Sequence, residues 1–209
     1  VEARALGADW VLRVNLWMLG QCLRLSQYDA ARAELMYRES AALSKAADDI
    51  HEYARTLGMF LSLLAKERLD FAESLHCAEE ALKIFNQVED ISNAIGMRCN
   101  IAENLFYLGS VDAALILLDN CKIEATERQE SSYLTHSLTI QSRIAISQQA
   151  HEKANTLLKE ALTIRLKYTK QNQTVAGLYS IVDAMAALAS AQGFSKRAAY
   201  LRGIADHLI

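Results

Sequence analysis

Apolar residues return every three or four positions through the stretch Leu69 to Asp90, LDFAESLHCAEEALKIFNQVED. Phe71, Leu75, Ala78, Leu82 and Phe85 step by 4, 3, 4 and 3, which puts all five on one face of a helix, while Glu73, Glu79, Glu80 and Lys83 fall elsewhere. A lone helix of this length is marginal in water, so its apolar face must be covered. Copies of the same unit supply the cover, because four other segments repeat the pattern at spacings of about forty residues.

Taken in order, the chain predicts a series of helix pairs. Val1 to Leu6 with Gly7 resemble the tail of a preceding repeat, and the start at Val1 suggests a piece cut from something longer. Trp10 to Leu25 reads as a helix with Val11, Val14, Met18, Cys22 and Leu25 on its stripe, broken at Ser26 and Gln27. Tyr28, Ala31, Leu35 and Ala42 lead a second helix that fades at Asp48 and Asp49, a pair suited to a turn and an N-cap. A helix from about Ile50 to Arg68 precedes the helix from about Asp70 to Val88, which Asp90 closes. The third pair runs from Ile91 to Leu108, stops at Gly109, and continues on Val111, Leu115, Leu118 and Ala125. The fourth spans Ser131 to Ser147, turns through Gln148, Gln149 and Ala150, and resumes with Leu157, Ala161, Ile164 and Tyr168. The fifth has a helix from Thr174 to Ala191, a turn at Gly193 and a last helix on Phe194, Ala198, Leu201, Ala205 and Leu208.

The turn residues Gln27, Leu69, Gly109, Gln149 and Gly193 are spaced 42, 40, 40 and 44 apart. This sets one helical-repeat domain over 1–209, with repeats at roughly 9–48, 50–89, 91–129, 131–170 and 174–209 after a tail at 1–7. A second register competes, since Leu19-Gly20, Leu57-Gly58 and Ile95-Gly96 recur at 38 residues, but it does not continue into the fourth unit. Either register predicts an all-α solenoid of antiparallel helix pairs in a right-handed superhelix, each pair touching its neighbours.

Composition narrows the function classes. Proline is absent, 52% of the residues are hydrophobic, and Ala, Leu, Glu, Lys, Arg and Gln dominate, which favours helix throughout. The 22 basic and 25 acidic residues are interspersed, so no basic stripe for nucleic acid appears, and no apolar run is long enough to span a bilayer. The expected location is therefore the cytoplasm. Cys22, Cys77, Cys99 and Cys121 lie 55, 22 and 22 residues apart, neither a CxxC metal pattern nor a disulfide framework, and read as buried reduced thiols.

The helix pairs resemble the tetratricopeptide repeat, with Leu19 and Gly20 standing for its Leu-Gly pair and Tyr28 and Ala31 for the aromatic residue and alanine near the second helix. The period of about forty exceeds the usual 34, and the proline that commonly ends a repeat is missing, as in the C-terminal repeats of large MalT-like LuxR-type ATP-dependent transcription regulators. The end of the chain, Gly177 to Ile209, is similar to the terminal repeat of that family at Ala191, Gln192, Gly193, Arg197, Ala198, Ala199 and Leu201. The resemblance implies a sensor or scaffold segment of a signalling regulator. The ATPase and helix-turn-helix domains of such proteins are not in this segment, so it is expected to make no direct nucleic-acid contact.

Catalytic motifs are lacking. His51-Glu52 and His151-Glu152 are followed by Arg55 and Asn155 where HExxH requires a second histidine, and no GxGxxG, GxxxxGK[ST] or GxSxG occurs. His76 and Cys77 are adjacent on a helix and so point about 100° apart, which suits no catalytic pair. His136 and His207 read as surface or inter-helix residues. No enzyme activity, cofactor or metal is expected.

In tetratricopeptide stacks the first helix of each pair lines the concave surface. The resemblance therefore singles out Trp17, Gln21 and Arg24, then Met59, Leu63 and Lys66, then Cys99, Glu103 and Phe106, and Thr139 and Arg143. Apolar residues beside isolated charges suit an extended peptide or a partner helix, the apolar side chains supplying affinity and the charges register. The expected partner is a protein or peptide, with a small effector, a pheromone-type peptide or a second copy of the chain as alternatives, and no membrane. The stripe of the Leu69 to Asp90 unit gives the first prediction. Leu75→Asp or Leu82→Asp should cost several kcal/mol by placing a charge in the stack, and near-native melting of either variant would show the register to be wrong.

Overall fold

The computed structural model describes residues 9–25, 29–172 and 177–208. The tail at 1–7, the break at Ser26, Gln27 and Tyr28, and the Thr174 start of the fifth pair lie outside them. Ten helices account for most of the described residues: α1 (Asp9–Leu25), α2 (Ala30–Ala46), α3 (Ile50–Arg55, continued by Thr56–Leu61 and Ser62–Glu67), α4 (Phe71–Gln87), α5 (Ile91–Tyr107), α6 (Val111–Glu127), α7 (Ser131–Ser147), α8 (His151–Asn172), α9 (Leu178–Ala191) and α10 (Ser195–Asp206). No strand occurs among the described residues. The chain forms two compact units, one running to Leu108 with α1–α5 and one from Gly109 with α6–α10. Within each unit every helix packs on the next in sequence.

The connections share one backbone design. The N–H of Asp49, Asp70, Asp90, Glu130, Ala150 and Phe194 donates to the carbonyl five residues back, at 2.8–2.9 Å. In each case the residue just before that donor has positive φ: Asp48, Leu69, Glu89, Gln129, Gln149 and Gly193, from 56° to 81°. This is the Schellman ending, and it satisfies helix carbonyls that would otherwise be orphaned. Gly109, with φ 87°, takes the same conformation after α5. The left-handed residues at 48, 69, 89, 109, 129 and 149 step by 21, 20, 20, 20 and 20, so the underlying period is one helix plus a short turn. The step of 21 encloses α3, whose Thr56–Leu61 segment is π-helical. One extra residue has been absorbed as a wider turn without disturbing either end.

The donor that closes one helix also opens the next. In the first unit Asp29, Asp49, Asp70 and Asp90 each accept a backbone N–H three residues on, from Arg32, Glu52, Glu73 and Asn93. Asp90, expected to close α4, is thus the N-cap of α5. Burial raises the Asp90 carboxyl pKa, but hydrogen bonds from Asn93 and from His51 outweigh it and hold it below the usual value. Ser110, Glu130, Gly177 and Phe194 in the second unit give no side-chain cap.

Packing is led by small residues rather than by the large ones that define the sequence stripes. Ala33, Ala54, Ser74, Ala94, Ala114 and Ala154 recur near the start of their helices and are all buried, letting backbones approach. In α2 the buried set is Ala33, Tyr37, Ser40, Ala41 and Ser44, whereas Ala31, Ala42 and Leu35, at 62% exposure, face solvent. In α1 Leu16 and Gly20 are buried and Met18 and Cys22 are exposed, so three of the four cysteines are buried rather than all. In α4 the centre of the face is Ser74, Cys77, Ala78, Ala81 and Phe85, with Phe71, Leu75 and Leu82 half-buried at its flanks. Phe194, expected on the last stripe, is exposed.

The Leu-Gly register marks a separate feature. A Cβ on Gly20 would lie 2.5 Å from Tyr37 Cε1, and one on Gly58 would lie 2.9 Å from the Ala81 Cβ, so both glycines mark close helix crossings. They are the twelfth and ninth residues of their helices, so this contact shifts by three residues from α1 to α3 while the turns stay fixed. The turn spacing thus marks helix ends, and Gly20 and Gly58 of the Leu-Gly spacing mark close crossings.

A side chain at positive φ costs about 1–2 kcal/mol, which glycine avoids. Leu69 is exposed, so Leu69→Gly removes that strain with little lost packing. Leu69→Gly should raise the unfolding free energy by up to about 1 kcal/mol and Gly109→Ala should lower it by about 1 kcal/mol. Denaturant melts with equal slopes check both, and a destabilised Leu69→Gly would show that the turn carries no strain.

Candidate functional site

The first helices of the pairs carry the candidate residues, and in the first unit these are α1, α3 and α5. The π-helical segment places Phe60 between two aromatic neighbours. Trp17 stacks on it with centroids 5.3 Å apart and Tyr37 with centroids 5.1 Å apart, each at 15°. The Arg55 guanidinium lies 5.3 Å from the Trp17 ring and is held by both carboxylate oxygens of Glu52, at 2.7 and 3.0 Å. The Tyr37 hydroxyl donates to Gln21 Oε1 at 2.9 Å, and Arg24 Nε donates to the same oxygen at 2.9 Å. Burial pushes the Tyr37 hydroxyl pKa upward, so it stays a donor.

Ion pairs then run between first helices. Arg24 meets Glu67 at 2.5 Å, and Lys66 Nζ meets Glu103 Oε2 at 2.5 Å with both side chains mostly buried. Trp17, Gln21, Arg24, Lys66 and Glu103 are thus occupied by one another and by Tyr37, Phe60 and Glu67, instead of standing free on a surface. Glu103 and Cys99 are buried, which removes both from an open groove lining. Met59, 43% exposed, is the open member of the group on α3, and Leu63 and Phe106 are half-buried.

In the second unit Thr139 is buried and its hydroxyl donates to the Thr135 carbonyl of its own helix at 2.7 Å, so it lines no surface either. Arg143 pairs with Asp183 at 3.0 Å, and Arg202 of α10 pairs with the same carboxylate. Among the described residues no group of three or more His, Cys, Asp or Glu is placed to hold a metal ion. Cys77 is buried, its thiol directed at Glu73, and burial pushes its pKa up to about 11, which keeps it protonated beside exposed His76. No described helix is long and apolar enough to cross a membrane.

Sequence reasoning missed Tyr37, Phe60, Arg55 and Glu67. Gly20 was the available signal for Tyr37, since a glycine in a helix interior marks the close approach of a bulky neighbour.

No protein-family model matches the chain, and no curated protein matches it by sequence. By structure the chain is similar to the nearly identical TPR-like repeats of a Podospora anserina protein described as a kinesin light chain, seen in a crystal structure. The match covers 93% of this chain and 92% of that one at a TM-score of 0.54 and 14% identity. The fold is a tetratricopeptide-like helical repeat. At that identity the likeness concerns the fold alone.

The buried Lys66–Glu103 pair of this tetratricopeptide-like fold yields a test. Lys66→Met removes the ammonium that Glu103 meets at 2.5 Å and should cost on the order of 2–3 kcal/mol, somewhat under the value for a fully buried pair. The double variant Lys66→Met/Glu103→Leu should recover most of that loss in chemical denaturation. A neutral single variant would show the pair to be solvated.

Proposed function

We propose that this chain is a non-enzymatic partner-binding segment of a bacterial multidomain transcription regulator, engaging a protein or peptide through the first helices of its tetratricopeptide-like repeats. The fold supports the interaction role, and the Ala191-Gln192-Gly193 turn followed by Arg197, Ala198, Ala199 and Leu201 supports the regulator context. The observation that carries the binding mode is the internal pairing of Arg24, Lys66 and Glu103, which leaves Met59 as the exposed member of the α3 face Arg55, Met59, Leu63 and Lys66. Charges already paired contribute register and rigidity, so affinity comes from apolar contact. The fitting partner is an amphipathic peptide or helix that seats a small apolar anchor against Met59 and Leu63.

A second reading has its own observation. On α10 Tyr200 is 72% exposed and Ile204 is also open, an apolar outer face that suits self-association.

The two separate in one experiment. Amphipathic peptides selected by display against the native chain should bind about tenfold more weakly to Met59→Glu, whose melting temperature stays native because the site is exposed. Failure to select any peptide, together with concentration-dependent oligomers in sedimentation that Tyr200→Ser abolishes, would replace partner binding with assembly. Adjoining coding sequence without a P-loop or a helix-turn-helix would overturn the regulator context.

A further inference from the structure

The second unit contains a buried positive charge that no described residue neutralises. Arg165 of α8 is 6% exposed. Its Nη1 donates to Ser132 Oγ at 3.1 Å, and its guanidinium lies 5.2 Å from the centre of the Tyr168 ring. Nε is buried and has no hydrogen-bond partner, and among the described residues no carboxylate pairs with the side chain. Burial pushes the Arg165 pKa down, with only Tyr168 acting against it. A desolvated guanidinium with neutral neighbours is costly, whereas natural buried arginines are paired.

The same guanidinium lies against the amino end of a helix. Gly177, with φ 81°, is the N-cap residue of α9. A Cβ built on it would fall 2.7 Å from Arg165 Cζ and 2.8 Å from Nε, so a side chain there would displace the guanidinium, and the positive φ favours glycine as well. No side chain caps the helix, and the Ser180 hydroxyl donates to the Gly177 carbonyl rather than accepting from the exposed amides. The first turn of a helix carries roughly half a positive charge. Two electropositive groups therefore converge on one spot, and neither offers the other relief. Gly177 and Ser132, which border the guanidinium, are both solvent-exposed.

We propose that Arg165, Ser132 and the uncapped amino end of α9 form a binding site for an oxyanion, a carboxylate or phosphate group carried by a ligand. The guanidinium supplies planar donors suited to such a group, and the helix start supplies backbone N–H groups. Ser132 accepts from Arg165, which leaves its own hydroxyl proton to donate to the anion. The site belongs to the second unit and uses no residue of the Met59 face, so it stands or falls apart from the partner-binding reading.

The test titrates the full chain with sodium phosphate, sodium acetate and sodium chloride at matched ionic strength. Amide resonances of Leu178, Tyr179 and Ser180 should shift saturably with phosphate or acetate and not with chloride, and the melting temperature should rise with the same anion. The stronger of the two assigns the ligand group, phosphate or carboxylate. Arg165→Gln should weaken binding by about tenfold or more, as loss of a charge-assisted fork does, and Arg165→Lys should retain part of it. Ser132→Ala, at an exposed position, provides a variant that keeps the fold and should also weaken binding. Shifts no larger with phosphate or acetate than with chloride, or unchanged affinity in Arg165→Gln or Ser132→Ala, would overturn the site.

Discussion

Every described helix from α2 to α7, and α9, must end on schedule, and one backbone device ends nearly all of them. A residue in the left-handed region reverses the chain, and the N–H after it returns to the carbonyl five residues back. Because the residue that donates this N–H stands at the N-cap of the next helix, helix length and helix direction are set by a single local event. The residues whose carbonyls receive these bonds, Ser44, Ala65, Phe85, Ala125, Ala145 and Ala189, are all buried. Turn and core are therefore locked in phase. Where one residue too many occurs, in α3, the helix widens into a π turn and the ends keep their positions, which shows that the turns rank above ideal helical geometry.

The turns were legible in the sequence, and so were the faces of α4, α6 and α8, where Ala78, Phe85, Leu118, Ala125, Leu157 and Ala161 are buried, but those of α1 and α2 were not. Gly109, Gln149 and Gly193, visible as breaks because glycine and polar residues interrupt apolar runs, are left-handed, and so is Leu69. The faces of α1 and α2 came out rotated because Met18 and Leu35 were weighted for size. In a stack whose backbones approach closely, the contact line belongs to Ala33, Ala54, Ser74 and Ala94, and the large side chains fill the space beside it. Alanine spacing was the better signal. The overlooked recurrence at 33, 54, 74, 94 and 114 has nearly the same step as the turns.

The candidate surface was legible as a set of positions and illegible as a state of charge. Arg24, Lys66 and Glu103 stand on first helices as the resemblance implied, yet their partners Glu67 and each other come from neighbouring pairs, over separations of 43 and 37 residues. A sequence shows which residues share a face of one helix, but pairing between helices depends on a rotation that stripes of large residues misjudged. Phe60 illustrates the same limit, since its place between Trp17 and Tyr37 depends on the π segment.

The two units differ in how their helix starts are satisfied, and that difference bears on where ligand energy can enter. In the first unit four aspartates cap helices, so the positive ends of those dipoles are already met by carboxylates of the chain. In the second unit Ser110, Glu130, Gly177 and Phe194 offer no side-chain cap, and at Gly177 a buried arginine adds to the imbalance instead of relieving it. A protein that binds an anion only in its folded form gains stability with ligand concentration. An anion held at Arg165 and the start of α9 would add that gain at a helix start that no side chain of its own caps, whereas the helix starts of the first unit at Asp29, Asp49, Asp70 and Asp90 are already met by carboxylates.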